Sequence, residues 1–521
     1  MFRLPRALAA VLLALLLPRA AAALDAKGLV FADANGNGLR DPEERGLAGV
    51  AVSNGRAIVE TDAAGRWRLP VDDDTILFVI KPAGWATPVD VNGLPRFYHV
   101  HKPGGSPRLE HAGVAPTGPL PASIDFPLRE QAEPARFTAL LFGDTQTRNQ
   151  KEIDYLAHDL IEGLVGSEAA FGVTLGDILF DDLAHYAALN ATVGQIGIPW
   201  INVLGNHDEN IDAADDTHAD ETFERVYGPA YYAFDVGPAH FVVLDDVLWL
   251  GKVSEGYRGG NYTGGLGEDQ LEFLRQDLAR VPREKLVVLL MHIPLVAEWD
   301  EAERAALYRL LETRPNALSV SAHYHYQEHV FLGADDGWQG AAPHHHFING
   351  TTCGSWWSGA PDEAGIPHTT MRDGTPNGYT ILTVDGADYR LDFRAARRPA
   401  EEQLRLWAPE VVTPAKAGEA ELVANVYNGS PRTRVEFRAG DGPWLPMARV
   451  EREDPTYAAL KALEASETPP PGAKLPKAVK CPHLWAAPLP AQMAPGTQRL
   501  EVRATDHWGR TASGWRILRV E

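Results

Sequence analysis

Five apolar runs in this chain each end abruptly in a loop that carries side chains able to bind a cation. Residues 136–142 lead into Asp144 and Gln146, and 171–175 into Asp177. Residues 200–204 lead into Asn206, His207 and Asp208, 286–291 into His292, and 318–321 into His323 and His325. Runs this short and apolar, bounded by Gly and acidic residues, read as strands buried on both faces of a sheet. In open α/β sheets, ligands bind beyond the carboxyl ends of the strands. Five such ends presenting Asp, Asp, Asn, His and a His pair are the layout of a two-metal hydrolase.

The spacing within these loops matters as much as their content. Two cations about 3.5–4 Å apart need one bridging carboxylate and two sets of terminal ligands. Asp177 follows Gly176 on a tight turn, which suits the bridge. Asp144 and Gln146 are two residues apart, so both can face the same way from an extended segment. His323 and His325 share that spacing, so one member of each pair can serve each cation. Asn206 offers an amide oxygen and His292 an imidazole. His207, directly after Asn206, is badly placed for the same ion and reads as an acid or an electrostatic clamp. Asp208 is expected to hold its imidazole in one tautomer and raise its pKa.

At 521 residues the chain exceeds a single hydrophobic core, and several domains are expected. Residues 1–23 read as a secretory signal: Arg3 and Arg6 precede an apolar stretch, 7–17, too short to span a bilayer comfortably, and Ala21-Ala22-Ala23 offers a cleavage site. Residues 25–126 show short alternating strands between Gly and Asp turns and no amphipathic helix, which predicts an N-terminal β-sandwich domain. Residues 135–395 alternate strands with helical spacing, as at Ile153, Leu156, Leu160 and Leu164. They predict a central α/β domain with two packed sheets and helices outside. Residues 405–521 return to a β pattern and predict a C-terminal β-sandwich, interrupted by an insertion at 454–480 that starts helical and turns Pro- and Lys-rich.

The net charge of −22, from 48 basic and 70 acidic residues, argues against a nucleic-acid polymer as partner. A small phosphorylated substrate or an envelope phosphate ester held by metals is compatible with it. No run after the signal is long enough for a transmembrane helix, so the mature protein is expected in the periplasm or secreted. Cys353 and Cys481 are the only cysteines. Free buried thiols are the favoured reading, with a disulfide between them as the alternative.

The blocks Asp144-Thr145-Gln146, Gly176-Asp177, Gly205-Asn206-His207-Asp208, His292 and His323-Tyr324-His325 resemble, in order, the calcineurin-like metallophosphoesterase signature. The flanking β-regions look like those of secreted bacterial members. The resemblance implies Asp144, Gln146, Asp177 and His325 around a first metal, and Asp177, Asn206, His292 and His323 around a second. It further implies a bridging hydroxide attacking phosphorus, with His207 protonating or stabilising the leaving oxygen. Two residues depart from the pattern. Gln146 stands where the family usually has His, and a harder amide oxygen favours manganese or iron(II) over zinc. Ala322 stands where Gly is usual, a small steric change.

Further candidates lie outside the signature. Asp33, Asn35, Asn37, Leu39, Asp41 and Glu44 fall at the ligand positions of a calcium loop, with Gly38 at the sixth position, and predict a structural calcium. A polar turn without metal is the plain alternative. Asp181 is read as a solvated helix start or a substrate contact, and Arg148 as a phosphate contact or a surface ion pair. Trp356 and Trp357 are candidates for the pocket wall, and His344-His345-His346 for alternating faces of a strand. Two rivals to a phosphomonoesterase or phosphodiesterase remain at this point. One is a pyrophosphohydrolase acting on nucleotide-sugar or lipid-linked diphosphates. The other is a non-catalytic, calcium-stabilised surface binding protein.

Overall fold

The structure is a computed structural model, and it describes residues 24–252 and 260–521. The secretory signal read at residues 1–23 lies outside the described residues. The apolar runs become the centre of two mixed sheets. One sheet orders its strands Trp200–Val203, Phe171–Leu175, Arg136–Phe142, Gly378–Asp385 and Asp388–Ala395. The first three are parallel, and the last two form an antiparallel hairpin against Arg136–Phe142. The second sheet orders Tyr232–Val236, Ala239–Val243, Leu286–Leu290, Ala317–Ser321, His344–Ile348 and Glu328–Leu332. Its four inner strands are parallel.

Burial explains why these runs are uniformly apolar. Every residue of Phe171–Leu175 and of Leu286–Leu290 is buried, because sheet covers one face and the second sheet or a helix covers the other. Each such Leu, Val or Phe contributes about 1.5–3 kcal/mol of transfer free energy. The helices Gln150–Asp159 and Gly267–Arg280 turn Ile153, Leu156, Phe273, Leu274 and Leu278 inward. The helix Gln150–Asp159 is started by Asn149, whose side chain accepts from the Glu152 amide at 3.2 Å. All five strands of the sequence reading end at the same edge of this two-sheet body, so their loops meet.

Before the central body, residues form two four-stranded sheets. One pairs Leu24–Ala32 with Arg66–Val71 and Phe126–Glu130; the other pairs Ala51–Ser53 with Ile58–Glu60 and Thr75–Val79. Their apolar residues are continuous with the central core, through contacts such as Phe78 with Phe273 and Phe97 with Tyr232. After the central body, Leu404–Trp407, Glu421–Val426, Leu484–Pro488 and Ala448–Val450 form one sheet. Thr511–Val520, Gly496–Thr505 and Arg434–Ala439 form the middle of another, and these two sheets enclose a separate core. The 454–480 insertion begins with the helix Pro455–Glu464, capped by Asp454 accepting from the Tyr457 amide at 2.8 Å. The architecture is therefore a multidomain α/β fold with β-sheet units on either side.

The loop read as a calcium site is closed by its own hydrogen bonds. Asp33 accepts from the amides of Gly36, Asn37 and Gly38, and Glu44 from those of Ala34 and Asp41. Asn35 and Asn37 donate to Asp41 Oδ2 at 2.7 and 3.1 Å. Leu39 is exposed, its amide bonded to the Asn37 side chain. Asp33, Asp41 and Glu44 do not form a metal-holding group among the described residues. Cys353 and Cys481 are both free and buried. Among the described residues no helix is long and apolar enough to cross a membrane.

Candidate metal centre

The ligand side chains sit where the backbone is most constrained. Asp144, Gln146, Asp177, Asp181, His323 and His325 all have positive φ, between 28° and 68°. Non-glycine residues rarely adopt this region, at a cost of about 1–3 kcal/mol each. Such a concentration of strain at three of the five strand ends means that the surrounding core holds these loops in place. Close approach adds a second constraint. A Cβ on Gly176 would lie 2.4 Å from His292 Nδ1, and one on Gly205 would lie 2.0 Å from the Asp177 amide nitrogen. The glycines of the Gly176-Asp177 and Gly205-Asn206 blocks are thus space for neighbouring loops.

The geometry resolves into two groups that share Asp177. In the first, Asp177 Oδ1 lies 3.2 Å from His292 Nε2. His292 Nε2 also lies 3.2 Å from Asn206 Oδ1 and 3.1 Å from His323 Nδ1. His292 Nδ1 is 2.8 Å from the Leu175 carbonyl, so it carries the proton and leaves Nε2 as the lone pair. In the second group, His325 Nδ1 is 2.6 Å from the Gly354 carbonyl, and its Nε2 faces Asp144 Oδ2 at 3.1 Å. Asp144 Oδ2 is buried without a hydrogen-bond donor. Asp177 Oδ2 accepts from the Gln146 side-chain NH2 at 2.9 Å. The two oxygens of Asp177 therefore face different groups, as a bridging carboxylate requires.

These contacts pass a fit test for cations. Lone pairs of carboxylate, amide and imidazole converge at 3.1–3.2 Å, and a buried carboxylate oxygen has no donor. Buried acceptors facing one another are costly unless a positive charge lies among them. Protonation responds to the same field. Burial disfavours charge on His292, but Asp177 and Asp144 override it and hold the ring up to about 10, so these carboxylates draw positive charge, a proton or a cation, to Nε2. His323 is pushed down to about 3 by burial and by the neighbouring His292. Asp177 is held well below the carboxylate range, because His292 and His207 outweigh its burial. Asp177, His292 and His323 form a group able to hold a metal ion, and Asn206 adds an oxygen to it. Asp144, Gln146 and His325 supply the other set.

Asp208 does not hold His207, and that expectation is corrected. Its carboxylate points inward, accepting from the amides of Ile178, Leu179 and Gly205 and from the Tyr186 hydroxyl at 3.0–3.2 Å. It ties the Asp177 turn to the Asn206 turn from beneath. Burial, reinforced by Asp177, pushes its carboxyl up to about 7. The partner of His207 is Asp181, with Oδ1 2.6 Å from His207 Nδ1. Asp181 is not merely a solvated helix start. The His207 pKa is raised, since Asp177 and Asp181 outweigh burial. Phe180, which the sequence reading passed over, stacks on His207 with centroids 4.5 Å apart. Asp246 was also missed. It accepts from the amides of His292 and Ile293 at 2.9 and 2.8 Å and so fixes the His292 loop.

The two tryptophans part company. Trp356 stacks on His325, with centroids 3.7 Å apart, and stays partly exposed. Trp357 is buried, donating from Nε1 to the Thr145 carbonyl at 3.0 Å, so it packs the loops and does not line a pocket. Arg148 lies over the Phe180 ring at 4.5 Å and donates to Glu152 and to the Trp356 carbonyl. It braces the site from the side. The His triplet forms a buried strand, with His346 bonded to Ser319, Ser321 and the Leu295 amide. A further carboxylate and histidine group, Asp74, His218 and Glu221, is filled by Lys102, whose Nζ lies 2.5 Å from Glu221 and 2.9 Å from Asp74.

Comparison with known proteins bears on the segments that flank this centre. Residues 34–111 match the family model described as the N terminal of calcineurin-like phosphoesterase, and residues 346–511 match that described as its C terminal. Both terminal regions of the chain thus match calcineurin-like phosphoesterase models, which supports a metal-dependent phosphoric ester hydrolase. The metal-facing blocks from Asp144 to His325 lie between the two matched segments. Among solved structures, a purple acid phosphatase isolated from yellow lupin (Lupinus luteus) seeds is similar at 14% identity and a TM-score of 0.35, over 67% of each chain. No curated protein matches the chain.

Proposed function

We propose that this enzyme is exported and hydrolyses small phosphate monoesters or diesters. Asp144, Gln146, Asp177 and His325 would hold one divalent cation, and Asp177, Asn206, His292 and His323 the other. The observations that carry this reading are the lone pairs that face one another, His292 Nε2 toward Asp177 Oδ1 and Asn206 Oδ1, and His325 Nε2 toward the donor-free Asp144 Oδ2. When bound, the two cations supply a polarised water and neutralise phosphate charge. Gln146 in place of an imidazole favours manganese or iron(II), with manganese preferred.

The chain's own residues complete the chemistry. His207 Nδ1 is committed to Asp181, which leaves Nε2 as the nitrogen that hands a proton to the leaving oxygen. Phe180 fixes the plane of that ring, and Arg148 backs Phe180. Asp246 and Asp208 hold the ligand loops through backbone amides, so the site is set before substrate arrives. Export rests on the charged and apolar pattern of residues 1–23. The test is the manganese-loaded chain with p-nitrophenyl phosphate and bis(p-nitrophenyl) phosphate. Turnover of at least one is expected. Two bound manganese ions with no turnover of either would refute the proposal.

A further inference from the structure

The wall of the metal centre continues away from the ligands as a strip of aromatic rings. Tyr324 lies against His323 with ring centroids 5.6 Å apart, and Tyr326 stacks on Tyr324 at 5.2 Å and 27°. Both tyrosines are partly exposed. The strip ends at an open pocket of about 510 Å³, lined by Tyr326, Glu328, Arg372, Glu451, Lys477 and Lys480 among others.

Segments far apart in sequence build this pocket. Arg372 is tied to the metal centre, because its amide donates to the His325 carbonyl at 3.1 Å. The Lys-rich end of the 454–480 insertion is laid against the same loop. Val479 donates to the Arg372 carbonyl at 3.1 Å, Gly359 to the Ala473 carbonyl at 2.7 Å, and Arg372 Nε to the Lys477 carbonyl at 3.2 Å. Tyr457 of the insertion's helix donates to the Pro476 carbonyl at 3.1 Å, which fixes the segment from behind. The insertion is thereby part of the wall.

Basic side chains lead the lining of this pocket. The chain carries −22, yet three cations gather here, and among the described residues Arg372, Lys477 and Lys480 form no ion pair. Of the acids on the wall, Glu451 is engaged by Arg449 at 3.3 Å. The Glu328 carboxyl is pushed up by burial, which weakens its claim on the cations. Unpaired cations in a concavity beside a phosphate-handling centre draw a second anion. Half-exposed stacked rings between the two points offer a face to a flat group.

We propose that the pocket is a second anion subsite of the phosphoesterase. The substrates carry, beyond the scissile phosphate, a flat ring followed by another anionic group. The ring lies on Tyr324 and Tyr326, and the anion meets Arg372, Lys477 and Lys480. This inference rests on the phosphoesterase reading above.

The test uses the full manganese-loaded chain and two non-hydrolysable probes, benzylphosphonate and 4-carboxybenzylphosphonate, in calorimetric titration. Charge-assisted contacts to the carboxylate should make the second bind about tenfold tighter. The double substitution Lys477→Ala with Lys480→Ala should remove most of that advantage, and Lys477→Glu with Lys480→Glu should reverse it. In turnover, the ratio of kcat/KM for 4-carboxyphenyl phosphate to that for phenyl phosphate should fall about tenfold in the first double variant. Equal affinities for both phosphonates in the unaltered protein, or an unchanged ratio in the variants, overturn the subsite while leaving the phosphoesterase reading intact. Hydrolysis of neither phenyl ester overturns both.

Discussion

Replacing Asp181 by Asn tests the proton-delivery arrangement without touching a metal ligand. The Asp181 carboxylate lies 2.6 Å from His207 Nδ1, and both side chains are largely shielded from solvent. A charge-assisted hydrogen bond of this kind contributes about 1.5–3 kcal/mol, against about 1 kcal/mol for a neutral one. The substitution therefore costs roughly 1.5 kcal/mol of support for a protonated, oriented imidazole, which is about tenfold in rate. The loss should depend on the leaving group. Benzyl phosphate expels a strongly basic alkoxide that needs the proton, so its kcat should drop about tenfold. p-Nitrophenyl phosphate expels a weak base and should lose about twofold or less. His207→Ala, which removes the donor itself, should cost benzyl phosphate about 10²-fold or more. Both variants should keep their metals, because no ligand of either group bonds to Asp181. The assay is steady-state kinetics on the two esters, alongside metal analysis of each variant. Equal losses on both esters, or loss of metal in Asp181→Asn, would refute the role given to this pair.

Other outcomes follow from the same structure. Asp208→Ala should behave as a stability variant: it strands three backbone amides and the Tyr186 hydroxyl, so urea unfolding should show a loss of about 4 kcal/mol or more, and a change confined to kcat would contradict this. His240, buried between Asp235 at 2.8 Å and Asp277 at 2.7 Å, is held up to about 9 against its burial by these two carboxylates. Its charged form stabilises the fold fully below the unfolded value near 6.5, and that contribution is lost as pH rises through 9, worth about 3 kcal/mol. Thermal unfolding should thus show stability falling between pH 6.5 and 9.5, with the fall flattened in His240→Gln. Trp356→Ala removes the ring stacked on His325 and should weaken binding of the cation held by Asp144, Gln146 and His325 several-fold in a chelator competition. Gln146→His should shift the metal giving highest activity from manganese toward zinc.

Much of the site was legible because cation chemistry leaves a local mark. Strand ends, tight turns and residues able to donate lone pairs are written in single stretches, and their order along the chain is informative. What escaped depends on how stretches meet. Asp208 sits beside His207 in sequence, but its neighbours in space are the amides of the Asp177 turn, and its carboxylate is spent there. Asp181 reaches His207 from a left-handed backbone position four residues after Asp177. Trp356 and Trp357 are adjacent and share the same unusual backbone region, yet one meets a ligand and the other a core. Asp246 gave a faint signal, an acidic pair after the strand Ala239–Val243, with no ligand spacing to raise it above a turn. The N-terminal sheets were readable as strands, while their shared core with the central body rests on distant pairs such as Phe78 and Phe273. The calcium-loop spacing folds into a turn cross-linked by its own side chains.

Metal stoichiometry set against ester hydrolysis tests the central claim most directly. The purified chain, loaded with manganese and freed of excess, should carry two ions per molecule by plasma mass spectrometry and hydrolyse p-nitrophenyl phosphate. Asp177→Asn should lose both ions and the activity together. Full activity with a single ion, or an Asp177→Asn protein that retains two ions and turns over substrate, would contradict a carboxylate-bridged pair.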